Sequence, residues 1–385
     1  MAICGGGIAG IEGLLRLRRL AGSEVDIALV SPAEEFVYRP MTVLEPFEAE
    51  PARRYPIARI IADTGARWER DRLSWVDRGR RLVHTDDGRQ IAYDALLLAL
   101  GARELPPSPH ATVFTGRDGG QLYRRVVADL DTGRLTQVAF VLPSGTSWPL
   151  PLYELALLTA RHAQEHGRAP ELSMVIPDDR PLPALGSAAG DLVTELLADA
   201  GITLHTGART RILSPRRLEL TPDGATLHPE LIVSVPAITG PNIRGIPGYA
   251  ADRFIHVDEY CRVRHTDWHI FAAGDATDQP VKHGGVGAQQ ADTAAAGIAH
   301  LAGVAAAPDP VRPTMDATLY TGAGPRYLSA HLIAGRGWHT SLHESPPWAA
   351  ADKVVAAELG EYLRGLGDAG EPANVPSGDA AARGS

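Results

Sequence analysis

A chain of 385 residues is too long for one growing hydrophobic core and calls for two or three domains. Its 44% hydrophobic and 22% charged residues exclude a disordered chain, and its 40 glycines and 30 prolines argue for many turns and against a long helical solenoid. A net charge of −9 without a lysine or arginine block gives no reason to expect a nucleic-acid partner, and two distant cysteines, Cys4 and Cys261, are too few for a disulfide scaffold or a structural zinc cluster, so no metal is expected.

The stretch CGGGIAG, residues 4–10, sets Gly5-x-Gly7-x-x-Gly10 after a short strand at Ala2 and Ile3 and before a helical pattern carrying Leu14, Leu15, Leu17 and Leu20. Gly5 allows a tight turn, Gly7 lets backbone approach a pyrophosphate, Gly10 permits close helix packing, and the helix N-terminus attracts phosphate. The arrangement predicts a dinucleotide cradle. The next strand, residues 25–30, should be followed by an acid for the ribose hydroxyls, but residue 31 is Ser and the first acids are Glu34 and Glu35. Ser31 is the candidate for a weaker ribose contact; either glutamate could swing back or simply face solvent. The N-terminus shows no secretory pattern, and no run of about 18 apolar residues spans a bilayer. Cytoplasmic residence is expected, with peripheral membrane contact left open.

Residues 91–103, IAYDALLLALGAR, give a buried strand from Ala95 to Leu100 that ends at Gly101. From 106 to 249 the alternation changes register: QVAFVL reads as a strand, Leu152 to His162 as a helix, LSMVIP as a strand, AAGDLVTELLADAG as a helix and ITLHT as a strand, with RLELT and LIVSVP to follow. This alternation predicts a second parallel sheet with connecting helices. Where a nicotinamide-binding unit carries its glycine fingerprint, this one has LPSGTSWPLPLYE, with one glycine, Gly145, and the prolines Pro143, Pro149 and Pro151. Prolines remove N–H donors and stiffen the turn, and Trp148 is bulky, so the loop is poor material for a pyrophosphate cradle. Glu154 could position an amide, accept a proton or cap the helix.

Farther along, His269 to Ala273 form a short strand ending at Gly274-Asp275, where the carboxylate could orient a ribityl hydroxyl. KHGGVGAQQADTAAAGIAHLAG then supplies a helix from about Val286 to Leu301, whose positive end suits the N1 and O2 edge of a flavin. After residue 311 short strands and turns lead to a helix from Asp352 to Leu363; Tyr320, Tyr327, Trp338 and Trp348 line a pocket there or supply its core. Residues from 367 read as a flexible polar tail.

With GGGIAG, YDALLLALGA, VSVPAITGPNIRGIPG, FAAGDATDQPVKHGGVGAQQADTAA and YTGAGPRYLSAHL in this order over most of the chain, the sequence resembles the two-dinucleotide-binding-domain FAD-dependent pyridine nucleotide-disulfide oxidoreductase superfamily. Within it the resemblance is nearest the sulfide:quinone oxidoreductases, flavocytochrome c sulfide dehydrogenase flavoproteins and type II NADH dehydrogenases. It implies an α/β fold of two Rossmann-like nucleotide-binding domains, the second inserted in the first, plus a small C-terminal α+β domain. The expected division is 1–105 and 250–310 for FAD, 106–249 for the insert, 311–366 for the small domain and 367–385 for the tail.

The resemblance further implies non-covalent FAD, with contacts at Gly5, Gly7, Gly10, Ser31, Arg39, Pro40, Ala99, Gly101, Gly274, Asp275, Lys282, Val286 and Gln289. Arg39, Glu154, Lys282 and His283 are the candidate catalytic groups: Lys282 to stabilise reduced flavin or an anionic quinone oxygen, His283 to relay a proton near neutral pH. The sulfur-handling cysteines of the group are missing; Ser144, Thr146, Ser147 and Trp148 stand in that neighbourhood, and hydroxyls cannot carry sulfur as a thiolate does. The expected activity is FAD-dependent electron transfer between an unidentified reductant and a quinone-like or protein acceptor. An NAD(P)H:quinone oxidoreductase with an atypical nicotinamide site and a non-enzymatic flavin-binding interaction protein are the alternatives. The oligomeric state is open, a dimer included.

Overall fold

The computed structural model describes residues 1–47, 52–116, 119–145, 148–248, 253–333, 337–348 and 353–368. The expected tail beyond Asp368 lies outside the described residues, as do Thr146 and Ser147 and the side chain of Trp338.

The first sheet is parallel and five-stranded, built from β1 (Ala2–Cys4), β2 (Ala28–Val30), β3 (Arg67–Glu69), β4 (Leu96–Leu98) and β10 (Ile270–Ala272) in the spatial order β10-β4-β1-β2-β3. The strands are shorter than the apolar runs at 25–30 and 95–100 suggest. Central β1 has three residues, and its ladders end with it: Ala2 faces Ala28 and Leu96, and Cys4 faces Val30 and Leu98. Alternate side chains separate the two faces, as a period of two requires. Ile3, Leu29, Leu97 and Phe271 meet helices α1 (Ile8–Ala21) and α6 (Gly284–Leu301), whereas Cys4, Val30, Leu98 and Ala272 meet the antiparallel ribbon at residues 73–92.

A second parallel sheet of the same design holds β5 (Thr112–Val113), β6 (Gln137–Val141), β7 (Glu171–Val175), β8 (Ile202–His205) and β9 (Leu231–Ser234) in the order β5-β9-β6-β7-β8. Helices α3 (Gly119–Asp131), α4 (Leu150–Glu165) and α5 (Ser187–Asp199) pack on one face; Leu218 and Leu220, from RLELT, cover the other from an antiparallel ribbon. The remaining helix of the first half, α2 (Ile57–Thr64), lies beside β3.

Near the C-terminus β11 (Thr314–Tyr320), β12 (Pro325–Ile333) and β13 (Gly337–His343) form an antiparallel sheet. Its Met315, Leu319 and Leu328 enter the same core as α4. The last helix, α7 (Ala357–Asp368), starts later than the sequence suggests. Val354 instead bridges to Ala317 and donates its N–H to the Tyr38 hydroxyl at 2.9 Å, and Glu12 of α1 caps the helix by accepting from the Glu358 and Leu359 N–H groups at 2.9 and 2.6 Å. A buried carboxylate meeting the free N–H groups of a helix start fixes that start. Among the described residues no helix is long and apolar enough to cross a membrane.

Candidate functional site

In the first sheet the chain steps outward from β1 through β2 and β3, then restarts on the other side of β1 with β4 and β10. Open α/β sheets bind ligands at the carboxyl ends of the strands beside such a reversal. Two hydrogen bonds fix the crevice: Gly5 N–H donates to Val30 O at 2.9 Å and Ala99 N–H to Cys4 O at 2.8 Å. Gly5 has φ +117°, and a Cβ there would lie 2.1 Å from the Ala99 carbonyl oxygen. A Cβ at Gly10 would lie 1.9 Å from the Gly5 carbonyl oxygen, so helix and turn touch through backbone alone. At Gly7 the same addition meets nothing within 4 Å. Gly7 is also the N-cap of α1 and supplies no side-chain cap, so the helix's first N–H groups face that open space. Free donors, a positive helix end and room at Gly7 fit the pyrophosphate of a dinucleotide.

The second half of the crevice comes from β10 and α6. Gly274, at φ +74°, donates its N–H to Gln290 Oε1 at 2.9 Å, and Gln290 Nε2 reaches the Thr277 hydroxyl at 3.2 Å. Sequence reading selected Gln289, one position away. That residue donates to Gly285 O and Thr314 O and accepts from Thr314 N–H, which ties α6 to β11.

Asp275 is half-buried; burial raises its carboxyl from the ordinary value, opposed by the nearby Lys282 and Arg39 charges. Arg39, Asp275 and Lys282 therefore form one electrostatic group. Lys282 is buried, donates to the Thr277 carbonyl and lies 3.7 Å from the centre of the Phe254 ring, so its ammonium is held by the protein's own groups. Arg39 begins a 3-10 turn with Pro40, exposed and half-buried respectively. Ser31 is buried, with its hydroxyl accepting from Ala33 N–H at 3.3 Å; Glu34 is exposed and paired with Arg70, and Glu35 is exposed. Gly101 has φ +68°, and Val286 is buried in the core shared with α4.

The loop after β6 is the counterpart of the Gly5 turn, since the second sheet also reverses beside its first long strand. Pro149 is the N-cap of α4 and Pro151 lies in its first turn. Proline is tolerated there because helix starts leave N–H groups unpaired, but each one deletes a donor that could have met a phosphate. Trp148 packs on His283, the N-cap of α6, with ring centres 4.7 Å apart. This contact brings the two switch-point loops together.

His283 is buried, and its Nδ1 has no hydrogen-bond partner among the described residues. Burial, reinforced by the Lys353 ammonium, pushes its pKa down to about 4, so the ring is neutral at neutral pH. Glu154 was expected at the substrate side, but the structure buries it completely. Both its oxygens accept from Lys353 Nζ at 2.7 Å, and Oε1 also accepts from Tyr320 N–H at 3.1 Å. Burial raises Glu154 and lowers Lys353, each opposed by its partner. A carboxylate so engaged joins α4, β11 and the segment before α7; it is not presented to a ligand. Lys353 escaped sequence reading because nothing near it in the chain marks it.

Both thiols are inaccessible. Cys4 is fully buried with its pKa pushed up to about 12, and burial followed by Asp258 raises Cys261 as well. Of the aromatic pocket candidates, Tyr327 is buried and meets Trp348 edge to face at 5.7 Å, while Tyr320 lies under the Lys353 ammonium, 4.7 Å away; both serve packing.

Residues 1–149 match the family described as pyridine nucleotide-disulphide oxidoreductase. The mitochondrial sulfide:quinone oxidoreductase of Mus musculus is 30% identical over 100 residues, which are 26% of this chain and 22% of that protein. Rhodocoxin reductase of Rhodococcus erythropolis is 25% identical over 373 residues, 92% of this chain and 80% of that protein. The solved sulfide:quinone oxidoreductase of Aquifex aeolicus shares the fold, with a TM-score of 0.79 at 18% identity over 89% of this chain and 86% of that one. The glycine crevice at β1 lies within the part that matches the pyridine nucleotide-disulphide oxidoreductase family, residues 1–149, and the paired parallel sheets give the chain the fold of the Aquifex aeolicus sulfide:quinone oxidoreductase.

Proposed function

We propose that this chain binds FAD and moves electrons from a reductant other than NAD(P)H to a quinone-like or small protein acceptor, at a site beside Trp148 and the N-terminus of α6. The observation that carries the reading is Trp148 on His283, with prolines where a second pyrophosphate cradle would need N–H donors. A nicotinamide dinucleotide would have to bind at a switch point lacking both the glycines and those donors. The two relatives fit either acceptor class: one is named for a quinone and the other for a redox protein. Sulfur transfer through a persulfide has no support from the buried thiols Cys4 and Cys261.

When bound, FAD supplies two-electron chemistry that the side chains cannot. Gly5, Gly7, Gly10 and the start of α1 would hold its pyrophosphate, with Ala99 and Gly101 beside the turn. Asp275 would meet a ribityl hydroxyl, and the start of α6 would carry the positive end that favours negative charge. Arg39 and Lys282 add positive charge around Asp275. Neutral His283 can accept or donate a hydrogen bond at Nδ1 without changing charge, and Trp148 packs against its ring. Residues 1–105 with 250–310 would act as the FAD domain, 106–249 as the insert that closes the site, and 311–366 as the small domain.

The switch-point strand order of the second sheet favours one other reading, an NAD(P)H:quinone oxidoreductase with an atypical nicotinamide site. Reduced, FAD-loaded protein mixed anaerobically with a water-soluble quinone, and separately with a small iron–sulfur redox protein, should be reoxidised by one of them with saturation. Failure with both would reject the acceptor assignment. Turnover should survive the double change Cys4→Ala and Cys261→Ala.

A further inference from the structure

The ends of α3 and α4 bring together three groups that the flavin site does not use. Asp131 is the last residue of α3, and His162 and His166 lie one turn apart near the end of α4. One oxygen or ring nitrogen from each residue lies within 4.8 Å of the other two. His162 Nε2 is 2.8 Å from Asp131 Oδ1, and the two imidazoles stack with centres 4.0 Å apart.

We propose that Asp131, His162 and His166 form a binding site for a divalent first-row transition cation, of which Zn2+ fits the donor set best. Two imidazoles at i and i+4 on one helix face, joined by a carboxylate, match the ligand types of such ions. The carbonyl oxygen of His162 lies 2.8 Å from His166 Nδ1. A carbonyl only accepts, so Nδ1 carries the proton and His166 Nε2 keeps its lone pair. Metal-bound histidines commonly have their other ring nitrogen oriented in this way.

The surroundings suit a cation. Both helices end here, and their partial negative ends favour positive charge. Arg168 donates to the Asp131 backbone carbonyl and Arg161 pairs with Glu165 at 2.7 Å, so neither guanidinium takes the Asp131 carboxylate. Phe47 packs against the His162 ring at 5.9 Å and shields one side. Asp131 and His162 are partly covered and His166 is exposed, which leaves solvent access and room for water as a further ligand. Ligands about 2.1 Å from a tetrahedral ion stand about 3.4 Å apart, so modest side-chain rotation closes the cluster. Binding displaces the proton shared by His162 and Asp131.

The test uses full-length, untagged, FAD-loaded protein stripped with a chelator. Zn2+ titrated against a chromophoric chelator should bind at one equivalent, and Co2+ should give visible bands of low-coordinate nitrogen–oxygen ligation. Even an outer-shell partner is worth about 10–100-fold in metal affinity, so His162→Ala with His166→Ala should weaken Zn2+ binding about 100-fold or more. His166→Ala alone changes an exposed side chain and provides the test if the double variant does not fold. Zn2+ should raise the melting temperature of the unaltered protein but not of that variant. A Zn2+ dissociation constant weaker than about 1 mM, or tight binding unaffected in both His166→Ala and Asp131→Asn, overturns the assignment.

Discussion

Replacing Lys353 with Met removes the ammonium paired with the fully buried Glu154 and keeps most of the apolar volume. Two unit charges 2.7 Å apart attract by roughly 6 kcal/mol at an effective dielectric of about 20. The net loss is smaller, because the stranded carboxyl takes up a proton; removing one partner of a buried pair costs about 3–5 kcal/mol. Urea unfolding followed by far-UV circular dichroism should show a loss of that size near neutral pH. The sign with pH is determined by Glu154, whose folded pKa, already raised by burial, rises further without the ammonium. Its stability contribution is intact below the unfolded carboxyl pKa of about 4.3 and is lost as the pH rises through the folded value. The variant's deficit should therefore be smallest in acid. Adding Glu154→Gln, which can still accept from Tyr320 N–H, should recover more than half of the loss. A deficit under about 1 kcal/mol, the range of an exposed pair, would refute the reasoning.

Gly7→Ala should leave the apoprotein's stability within about 0.5 kcal/mol, since a Cβ there meets no protein atom, while FAD affinity falls at least about tenfold; occupancy measured from the flavin-to-protein absorbance ratio checks both. Gly10→Ala, with its Cβ 1.9 Å from the Gly5 carbonyl oxygen, should lower stability and FAD occupancy together, as read by thermal melts with and without added FAD. Asp292, raised to about 8 first by burial and then by Glu12, keeps its proton in the folded state at neutral pH, so stability should be lost as the pH rises through about 8. Asp292→Asn should flatten that loss; an unchanged slope between neutral and alkaline pH in urea titrations would count against a proton held there.

The nucleotide crevice was legible because its physics is local: Gly5, Gly7 and Gly10 act within a single turn and the first turn of α1. The two parallel sheets were legible from alternating apolar runs. The lengths of their strands were not, since β2 and β4 stop where their partner β1 stops. Gln289 and Gln290 differ by one step around α6, and only the packing of that helix against β10 and β11 decides which of them reaches Gly274. Glu154 lay in plain view as an acid behind a proline loop, but its partner Lys353 is 199 residues away and carries no local signature. Burial likewise changed the reading of His283, whose sequence neighbours suggest an ordinary imidazole while Trp148 and Lys353 hold it neutral. The His162–His166 spacing was readable; the arrival of Asp131 from another helix was not.

The proposed electron route is tested most directly by anaerobic stopped-flow reduction of the FAD-loaded protein with NADH and with NADPH, followed by the loss of oxidised-flavin absorbance. With Pro143, Pro149 and Pro151 where a second glycine cradle would stand, reduction by either nucleotide should be slow and linear in concentration. Rapid reduction that saturates with NADH or NADPH would show a working nicotinamide site and contradict the account.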